Sequence, residues 1–140
     1  MKDILIVYWS GTGNTEKMAN LIGQGVMESG AKVLIKNVSE ATTEDIEKFD
    51  TIALGCPSMG NEVLEECEME PFIESISDKV GGKKVALFGS FGWGDGQWMR
   101  DWAERMESYG ANLIDEGLII NSEPDSKGQE ECIELGKKLV

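Results

Sequence analysis

The sequence has 140 residues, of which 41% are hydrophobic and 28% charged, and this is typical of a globular chain that folds as one domain over residues 1–140. Its 26 acidic and 13 basic residues give a formal net charge of −13, which argues against nucleic-acid binding and against docking on anionic membranes. The sequence contains no histidine, which excludes a Ser-His-Asp triad, a Cys-His dyad and histidine-based metal sites.

The net charge bears on the choice of binding partners, and the cysteines bear on the cellular compartment. The acid excess either steers the protein toward basic partners or only keeps the chain soluble, and both interpretations fit the composition. The three cysteines form no C-x-x-C pair and are odd in number, so they indicate neither a disulfide framework nor a thiol redox motif. Reduced thiols predict a cytoplasmic location. The N-terminal apolar run, residues 4–9, is too short for a signal sequence or a membrane span.

Short apolar runs predict five strands along the chain. The first is rich in valine and aromatic residues and is uniformly apolar, which is typical of a strand buried on both faces. The last is predicted to be interrupted near Gly117. The predicted strands are residues 4–9, 33–35, 51–56, 85–88 and 113–120.

Apolar residues at helical spacing predict five helices between and after these strands. The first begins at Asn14 and ends at Gly30, and the second is a short helix with Thr43 as its N-cap. The other three are predicted over residues 71–80, 98–110 and 132–139. Strands that alternate with helices predict a parallel sheet covered on both faces.

Ligands of an open parallel sheet bind beyond the carboxyl ends of its strands. Three loops occupy that position here, namely residues 10–15, 57–62 and 90–96, and the middle one continues without clear periodicity to residue 70. We therefore expect the functional residues in these three loops.

The first loop joins a buried strand to a helix N-terminus and carries three hydroxyls and an amide, but no lysine or arginine. Backbone N–H groups at a helix start, combined with hydroxyls, form an anion site that suits a phosphate monoester. A P-loop would need a lysine, and a dinucleotide fingerprint would need glycine where Glu16 stands. Helix capping alone would require fewer polar residues. The loop consists of Ser10, Gly11, Thr12, Gly13, Asn14 and Thr15.

The other two loops carry residues suited to a flat ring. Trp93 stands among three glycines, which allow the backbone to approach a ligand closely, and an aromatic side chain can stack on a heterocycle. Met59 can pack on the opposite ring face. A loop tryptophan alone is more often a packing residue, but a phosphate site one loop away favours a ligand. The combination predicts a mononucleotide with a large planar ring.

These segments resemble the short-chain flavodoxins of the clostridial type, which carry flavin mononucleotide (FMN). The resemblance covers essentially the whole chain and is carried by residues 7–16, by residues 54–57 with Met59-Gly60, and by residues 89–94. It implies a flavodoxin-like three-layer α/β/α sandwich with a five-stranded parallel sheet of order 2-1-3-4-5. The chain departs from the clostridial pattern at Asn61, which replaces Asp, and at Phe91, which replaces Tyr.

The resemblance also implies roles for single residues. The side chains of Ser10, Thr12, Asn14 and Thr15, with the backbone of Gly11 and Gly13, are expected to bind the phosphate. Met59 is expected on the inner ring face and Trp93 on the outer, and Glu62 is expected to accept from flavin N3. The remaining implied contacts come from Pro57, Ser58, Gly60, Asn61, Ser90, Phe91, Gly92 and Gly94.

The resemblance implies a low-potential one-electron carrier that substitutes for ferredoxin and cycles between the semiquinone (one-electron reduced) and hydroquinone (two-electron reduced) flavin. The Gly60–Asn61 peptide is expected to flip so that its carbonyl accepts from protonated N5. Residues 62–78 contain seven acids and no base. Either they form a solvated face, or they oppose the second electron and steer basic redox partners to a monomeric carrier.

Two alternatives share this topology. An FMN-dependent reductase acting on quinones or nitro compounds would hold a substrate and a nicotinamide, for which this chain has few basic residues and little length. A receiver domain needs an acidic pair after the first strand and an acceptor aspartate after the third. Those places hold Tyr8-Trp9-Ser10 and Cys56-Pro57, which excludes a receiver domain.

Overall fold

The protein is described by a computed structural model that covers residues 3–140. Six parallel strands form one sheet of order β2-β1-β3-β4-β5, and β6 pairs with β4 beyond β5. This confirms the predicted order, with β5 and β6 as the two halves of the predicted fifth strand. The strands are β1 (Asp3–Tyr8), β2 (Lys32–Asn37), β3 (Thr51–Gly55), β4 (Lys84–Phe91), β5 (Asn112–Leu113) and β6 (Leu118–Asn121).

The interruption of the fifth strand lies where the sequence predicted it. Between β5 and β6 the backbone takes left-handed conformations at Asp115 (φ 63°) and Gly117 (φ 102°). An extended strand cannot contain such conformations, so pairing with β4 stops and resumes after the turn. β6 then pairs with β4 from Phe88 to Phe91. Because β6 supplies this partner, β4 continues three residues beyond the predicted strand end at Phe88.

Five α-helices and one 3₁₀ turn (Val38–Glu40) connect the strands. The predicted N-cap of the second helix is wrong by one residue, because Thr42 and Asp45 form a reciprocal capping box. Thr42 Oγ1 accepts from the Asp45 amide, and Asp45 Oδ2 accepts from the Thr42 amide. The helices are α1 (Asn14–Glu28), α2 (Thr43–Lys48), α3 (Met69–Ser75), α4 (Gln97–Ser108) and α5 (Ser126–Leu139).

The third helix is shorter than its apolar spacing predicts. It ends at Ser75, whose hydroxyl donates to the Phe72 carbonyl at 2.6 Å and so competes with continued helix formation. Ile76 and Val80, which suggested a longer helix, lie in the turns that follow and are still fully buried. Their spacing therefore reflects packing against the sheet.

Each face of the sheet has its own core. Leu5 and Val7 of β1 point to the layer that contains α3 and α4, and Ile4 and Ile6 point to the layer that contains α1 and α5. This alternation follows from the two-residue period of a strand, and uniformly apolar strands satisfy both layers. The result is the predicted three-layer α/β/α sandwich.

The carboxyl ends of β1, β3, β4 and β6 meet at one edge of the sheet, and hydrogen bonds between the segments beyond them extend the sheet pattern. The Cys56 amide donates to Phe88 O, the Ser58 amide to Ser90 O and the Ser122 amide to Phe91 O, at 2.8–3.1 Å. The loops that follow these strands are therefore held in fixed register with one another.

Candidate functional site

An open cleft of about 260 Å³ lies at this edge of the sheet. It is slightly smaller than the ~300–1,000 Å³ of typical ligand pockets, so a mononucleotide bound there would stay partly exposed. Residues from all three predicted loops line it. The lining residues are Trp9, Gly11, Thr12, Asn14, Pro57, Ser58, Met59, Ser90, Phe91, Gly92 and Ser122.

Nine of the predicted site residues line the cleft, and the others lie in the same loops without lining it. The predicted residues outside the lining are Ser10, Gly13, Thr15, Gly60, Asn61, Glu62, Trp93 and Gly94. Their hydrogen bonds show that several of them hold the loops in place.

The first loop is organised by the Ser10 hydroxyl. Its oxygen accepts from the amide of Gly13 at 3.1 Å and from the amide of Glu16 at 3.3 Å. Gly13 takes the left-handed conformation (φ 98°) that turns the chain into α1. The hydroxyl proton of Ser10 remains available to a ligand. The loop thus combines a helix N-terminus with hydroxyls, which is the chemistry of an anion site.

A buried hydroxyl pair links the first loop to the end of β4. Thr15 is 1% exposed and Ser90 is 5% exposed. Their Oγ atoms are 3.0 Å apart, and the Ser90 amide also donates to Thr15 Oγ1 at 3.3 Å. Ser90 lines the cleft, whereas Thr15 does not.

The second loop forms a tight turn at the mouth of the cleft. Met59 and Val63 exchange two backbone hydrogen bonds, of 2.9 Å and 3.0 Å, across the turn. Within the turn, Gly60 (φ 51°) and Glu62 (φ 56°) both have left-handed backbone conformations. Glu62 is strained in this conformation because it carries a side chain, and strain of this kind concentrates at functional sites.

The carboxylate of Glu62 caps the N-terminus of α4. Its Oε1 accepts from the amide of Gly96 at 3.2 Å and from the amide of Gln97 at 3.0 Å. The carboxyl group packs so closely under Gly94 that a Cβ there would lie 2.5 Å from Glu62 Cδ. Among residues 3–140, no donor reaches Oε2 of Glu62, so that oxygen is free to accept from a ligand.

The aromatic residues of the third loop have different surroundings. Trp93 is 63% exposed, which leaves its ring free to cover a ligand. Phe91 lines the cleft and packs on the buried Trp98, with ring centroids 5.7 Å apart. The indole N–H of Trp98 donates to Cys56 O at 3.1 Å, so the support beneath the cleft is fixed.

Trp9 and Ser122 line the cleft but were not predicted as site residues. Trp9 was assigned to the first strand, and its indole Nε1 donates to Glu68 at 3.3 Å. Ser122 follows β6 and has a left-handed conformation (φ 59°). Because β6 pairs with the extended end of β4, Ser122 reaches the same edge as the three loops. The carboxyl-end rule applied to the fifth strand would have found Ser122.

The acidic segment 62–78 contains buried or strongly paired carboxylates and exposed ones. Glu65 is 6% exposed and accepts from the amides of Cys67, Glu68 and Met69 at the start of α3. Glu70 forms a bidentate pair with Arg105 at 2.8 Å and 2.5 Å, and this pairing lowers the pKa of the Glu70 carboxyl. The exposed acids of the segment are Glu66, Glu68, Glu74 and Asp78.

Other features do not offer a competing site. Burial raises the pKa of the Cys56 and Cys132 thiols to about 12, so neither is a reactive thiolate. A larger cavity of about 750 Å³ lies between the β5–β6 turn and α5, where five carboxylates outnumber two lysines and disfavour a phosphate. In residues 3–140 there is no cluster of three or more metal-ligating side chains. Between residues 3 and 140, no helix is both long enough and apolar enough to cross a membrane.

Comparison with known proteins identifies a family to which this chain is similar over nearly its whole length. Residues 6–136 match the family model described as flavodoxin. The chain is 58% identical over 135 residues to a flavodoxin of Clostridium beijerinckii, and the aligned region covers 96% of this chain and 97% of the relative. It is 48% identical over 132 residues to a flavodoxin of Megasphaera elsdenii, covering 94% of each. The solved structure of two-electron reduced Megasphaera elsdenii flavodoxin superposes with a TM-score of 0.89 over 97% of each chain, at 46% identity.

Proposed function

From the premise that the chain belongs to the flavodoxin family of FMN-binding electron carriers, we propose that it cycles at low potential between the one-electron and two-electron reduced flavin. We also propose that it substitutes for ferredoxin with basic redox partners. The protein carries electrons and is not an enzyme, so the alternative of a quinone or nitro reductase is not retained. FMN supplies the redox chemistry, and the chain binds the cofactor and sets its energies.

The observation that carries the proposal is the convergence of three loops on one open cleft. Gly11, Thr12 and Asn14 line one part of it, at the helix start where Ser10 arranges the backbone amides. A phosphate monoester fits this part, because amides and hydroxyls bind it without a cation. Lys17, the basic residue nearest in sequence, pairs with Glu123.

The apolar lining suits the flavin ring. Met59 and Phe91 line the cleft, and Trp93 projects into solvent beside it. We place Met59 on the inner face of the ring and Trp93 on the outer face. A thioether and an indole give two apolar faces, and the cleft is open enough to leave the ring edge near solvent. An exposed edge is what electron transfer to another protein requires.

The turn 59–63 supplies the polar contacts to the ring. Gly60 tolerates both orientations of the Gly60–Asn61 peptide. The Gly60 carbonyl can therefore turn to accept a hydrogen bond from a protonated flavin nitrogen. The anchored carboxylate of Glu62 offers its free Oε2 to flavin N3–H. Because its other oxygen is held by two amides, Glu62 loses little conformational entropy when it accepts this bond.

We expect the negative charge of the chain to lower the potential at which a bound flavin accepts its second electron. A bound flavin would be anionic when fully reduced, in a chain whose formal net charge is −13. At an effective dielectric constant of about 20, each carboxylate about 10 Å away opposes that electron by about 1.7 kcal/mol before salt screening. The exposed acids also favour encounter with basic partners through small, transient interfaces. We propose that the carrier is monomeric and cytoplasmic.

An anaerobic reductive titration, followed by visible absorption, tests the proposal. A yellow protein that turns blue and then bleaches demonstrates two separate one-electron steps. A single bleaching step without the blue form contradicts one-electron cycling. A protein that stays colourless after incubation with FMN and removal of unbound flavin contradicts the assigned site residues.

A further inference from the structure

We propose that Trp98 is a positioning residue for the inner face of the flavin ring, because its indole N–H holds the Cys56 carbonyl out of the sheet and so fixes the path of the chain to Met59. This inference rests on the proposed function, since it concerns how the same cleft binds FMN. Two observations support it: the hydrogen bonds between β3 and β4 omit one link, and a glycine makes room for the displaced carbonyl.

The omitted link lies where β3 ends. The Cys56 amide donates to Phe88 O at 3.1 Å, and the Ser58 amide donates to Ser90 O at 3.0 Å. In a regular parallel ladder, the Ser90 amide between these two bonds would donate to Cys56 O. Within residues 3–140 that bond is not made, although the bonds on both sides of it are. The interruption is therefore confined to one peptide, at the start of the second loop.

Side chains satisfy the two groups that the interruption leaves. The Ser90 amide donates to Thr15 Oγ1 at 3.3 Å, and Cys56 O accepts from Trp98 Nε1 at 3.1 Å. Gly89 makes the second bond possible, since a Cβ there would lie 2.1 Å from Cys56 O and 3.2 Å from Trp98 Cζ2. The carbonyl thus occupies the place of a side chain, on the face of the sheet that Trp98 covers.

The Cys56 carbonyl belongs to the planar peptide that leads into Pro57. Proline fixes its own φ and has no N–H, so the orientation of this peptide sets the direction in which the chain leaves it. Pro57, Ser58 and Met59 all line the cleft. Cys56 is fully buried, so its carbonyl is costly to leave without a partner. Trp98 therefore holds the start of the segment that carries Met59.

Trp102 is a matched control on the same helix. Trp98 is 1% exposed and Trp102 is 2% exposed, and both belong to the same core layer. The indole N–H of Trp102, however, has no hydrogen-bond partner in the part of the chain that the structure describes, residues 3–140. Replacing either tryptophan by phenylalanine removes the same volume from this layer. Only the change at Trp98 also removes a hydrogen bond.

The test measures the dissociation constants of FMN and of riboflavin, which lacks the phosphate, by flavin fluorescence. The proteins are the wild type, Trp98→Phe, Trp102→Phe and Gly89→Ala, which keeps the indole and displaces the same carbonyl. The visible circular dichroism of bound FMN reports the surroundings of the ring independently of affinity. Urea unfolding measures the stability of each variant, and ¹⁵N NMR of the wild type follows the solvent exchange of the two indole protons.

We expect Trp98→Phe to weaken FMN and riboflavin by the same factor, about fivefold, and to change the circular dichroism of bound FMN. Gly89→Ala should change the circular dichroism in the same direction. Trp102→Phe should weaken each flavin by less than about twofold and keep the wild-type circular dichroism, although it also lowers stability. In the wild type, riboflavin should slow the exchange of the Trp98 proton more than that of Trp102, because a bond that favours flavin binding is favoured by it in return.

Three results would overturn the inference. The first is an equal effect of Trp98→Phe and Trp102→Phe on flavin affinity and circular dichroism, since lost volume would then explain both. The second is a folded Gly89→Ala protein that binds both flavins as the wild type does. The third is equal slowing of the two indole protons, which decides the question even where the variants fail to fold. A wild type that binds neither flavin would instead contradict the proposed function.

Discussion

Replacing Glu65 by Gln tests whether the acidic segment is partly a structural device. Glu65 is buried, and its two oxygens accept from three consecutive amides at the start of α3, at distances of 2.5–3.3 Å. Glutamine keeps one acceptor oxygen but turns an NH₂ group toward amide donors. It also removes a negative charge from a helix N-terminus. Loss of an N-cap costs about 0.5–2 kcal/mol, and charged hydrogen bonds contribute about 1.5–3 kcal/mol.

We therefore expect Glu65→Gln to lower the free energy of unfolding by about 2 kcal/mol, or the melting temperature by about 7 °C for a chain of this length. The control is Glu66→Gln, which removes the same charge from the exposed neighbouring position and should change stability by less than about 0.5 kcal/mol. Urea unfolding of both proteins at one fixed excess of FMN measures the difference. Equal and small losses of stability in both variants would refute the capping role of Glu65.

Three further predictions each concern a single residue. Glu70→Gln should destabilise the protein at pH 7, because pairing with Arg105 lowers the pKa of Glu70 below its ordinary 4.5. The contribution of this ion pair to the free energy of unfolding is complete above about pH 5 and is lost as the pH falls. In urea unfolding at a series of pH values, the difference in stability between variant and wild type should therefore narrow below about pH 5. Gly25→Ala should cost about 2 kcal/mol in the same assay, because its Cβ would lie 2.0 Å from the Ile133 carbonyl oxygen and the better helix propensity of alanine offsets only about 1 kcal/mol. Glu66→Gln should raise the potential of the second electron, less so at high salt; an unchanged potential in spectroelectrochemical titration would contradict field control by this acid.

The sheet and its helices were predictable because buried parallel strands are uniformly apolar and the helices between them are amphipathic. The errors occur where local side-chain bonds or strand partners outweigh periodicity. The hydroxyl of Ser75 ends α3 although the apolar spacing continues to Val80. The second half of the fifth strand extends β4 through Ser90, which the sequence placed in a loop. The first effect is local, but apolar periodicity does not report it; the second depends on pairing between β4 and β6, which no single segment of sequence shows.

The candidate site was predictable as three loops, and the division of labour within them was not. Glycines, hydroxyls and an aromatic residue at strand ends indicate where a mononucleotide binds, because such loops share one edge. Which hydroxyls also hold the loops together depends on contacts between segments distant in sequence, such as Thr15 with Ser90. The same limit applies to Glu65 and Glu66, which are adjacent and chemically identical but lie inside and outside the protein.

The polar residues of this site fall into two kinds with separable effects. Thr12 and Asn14 line the cleft, and each can bind only the part of the cofactor that it meets. Ser10 and Glu62 bind loop amides, and Thr15 binds Ser90, so these three side chains set the shape of the cleft. Replacing a residue that only lines the cleft should affect one part of bound FMN, whereas replacing one that also holds a loop should affect the rest of the cleft as well. Of the four polar side chains in the first loop, two line the cleft, and the other two form hydrogen bonds that hold the loop amides and the end of β4 in place.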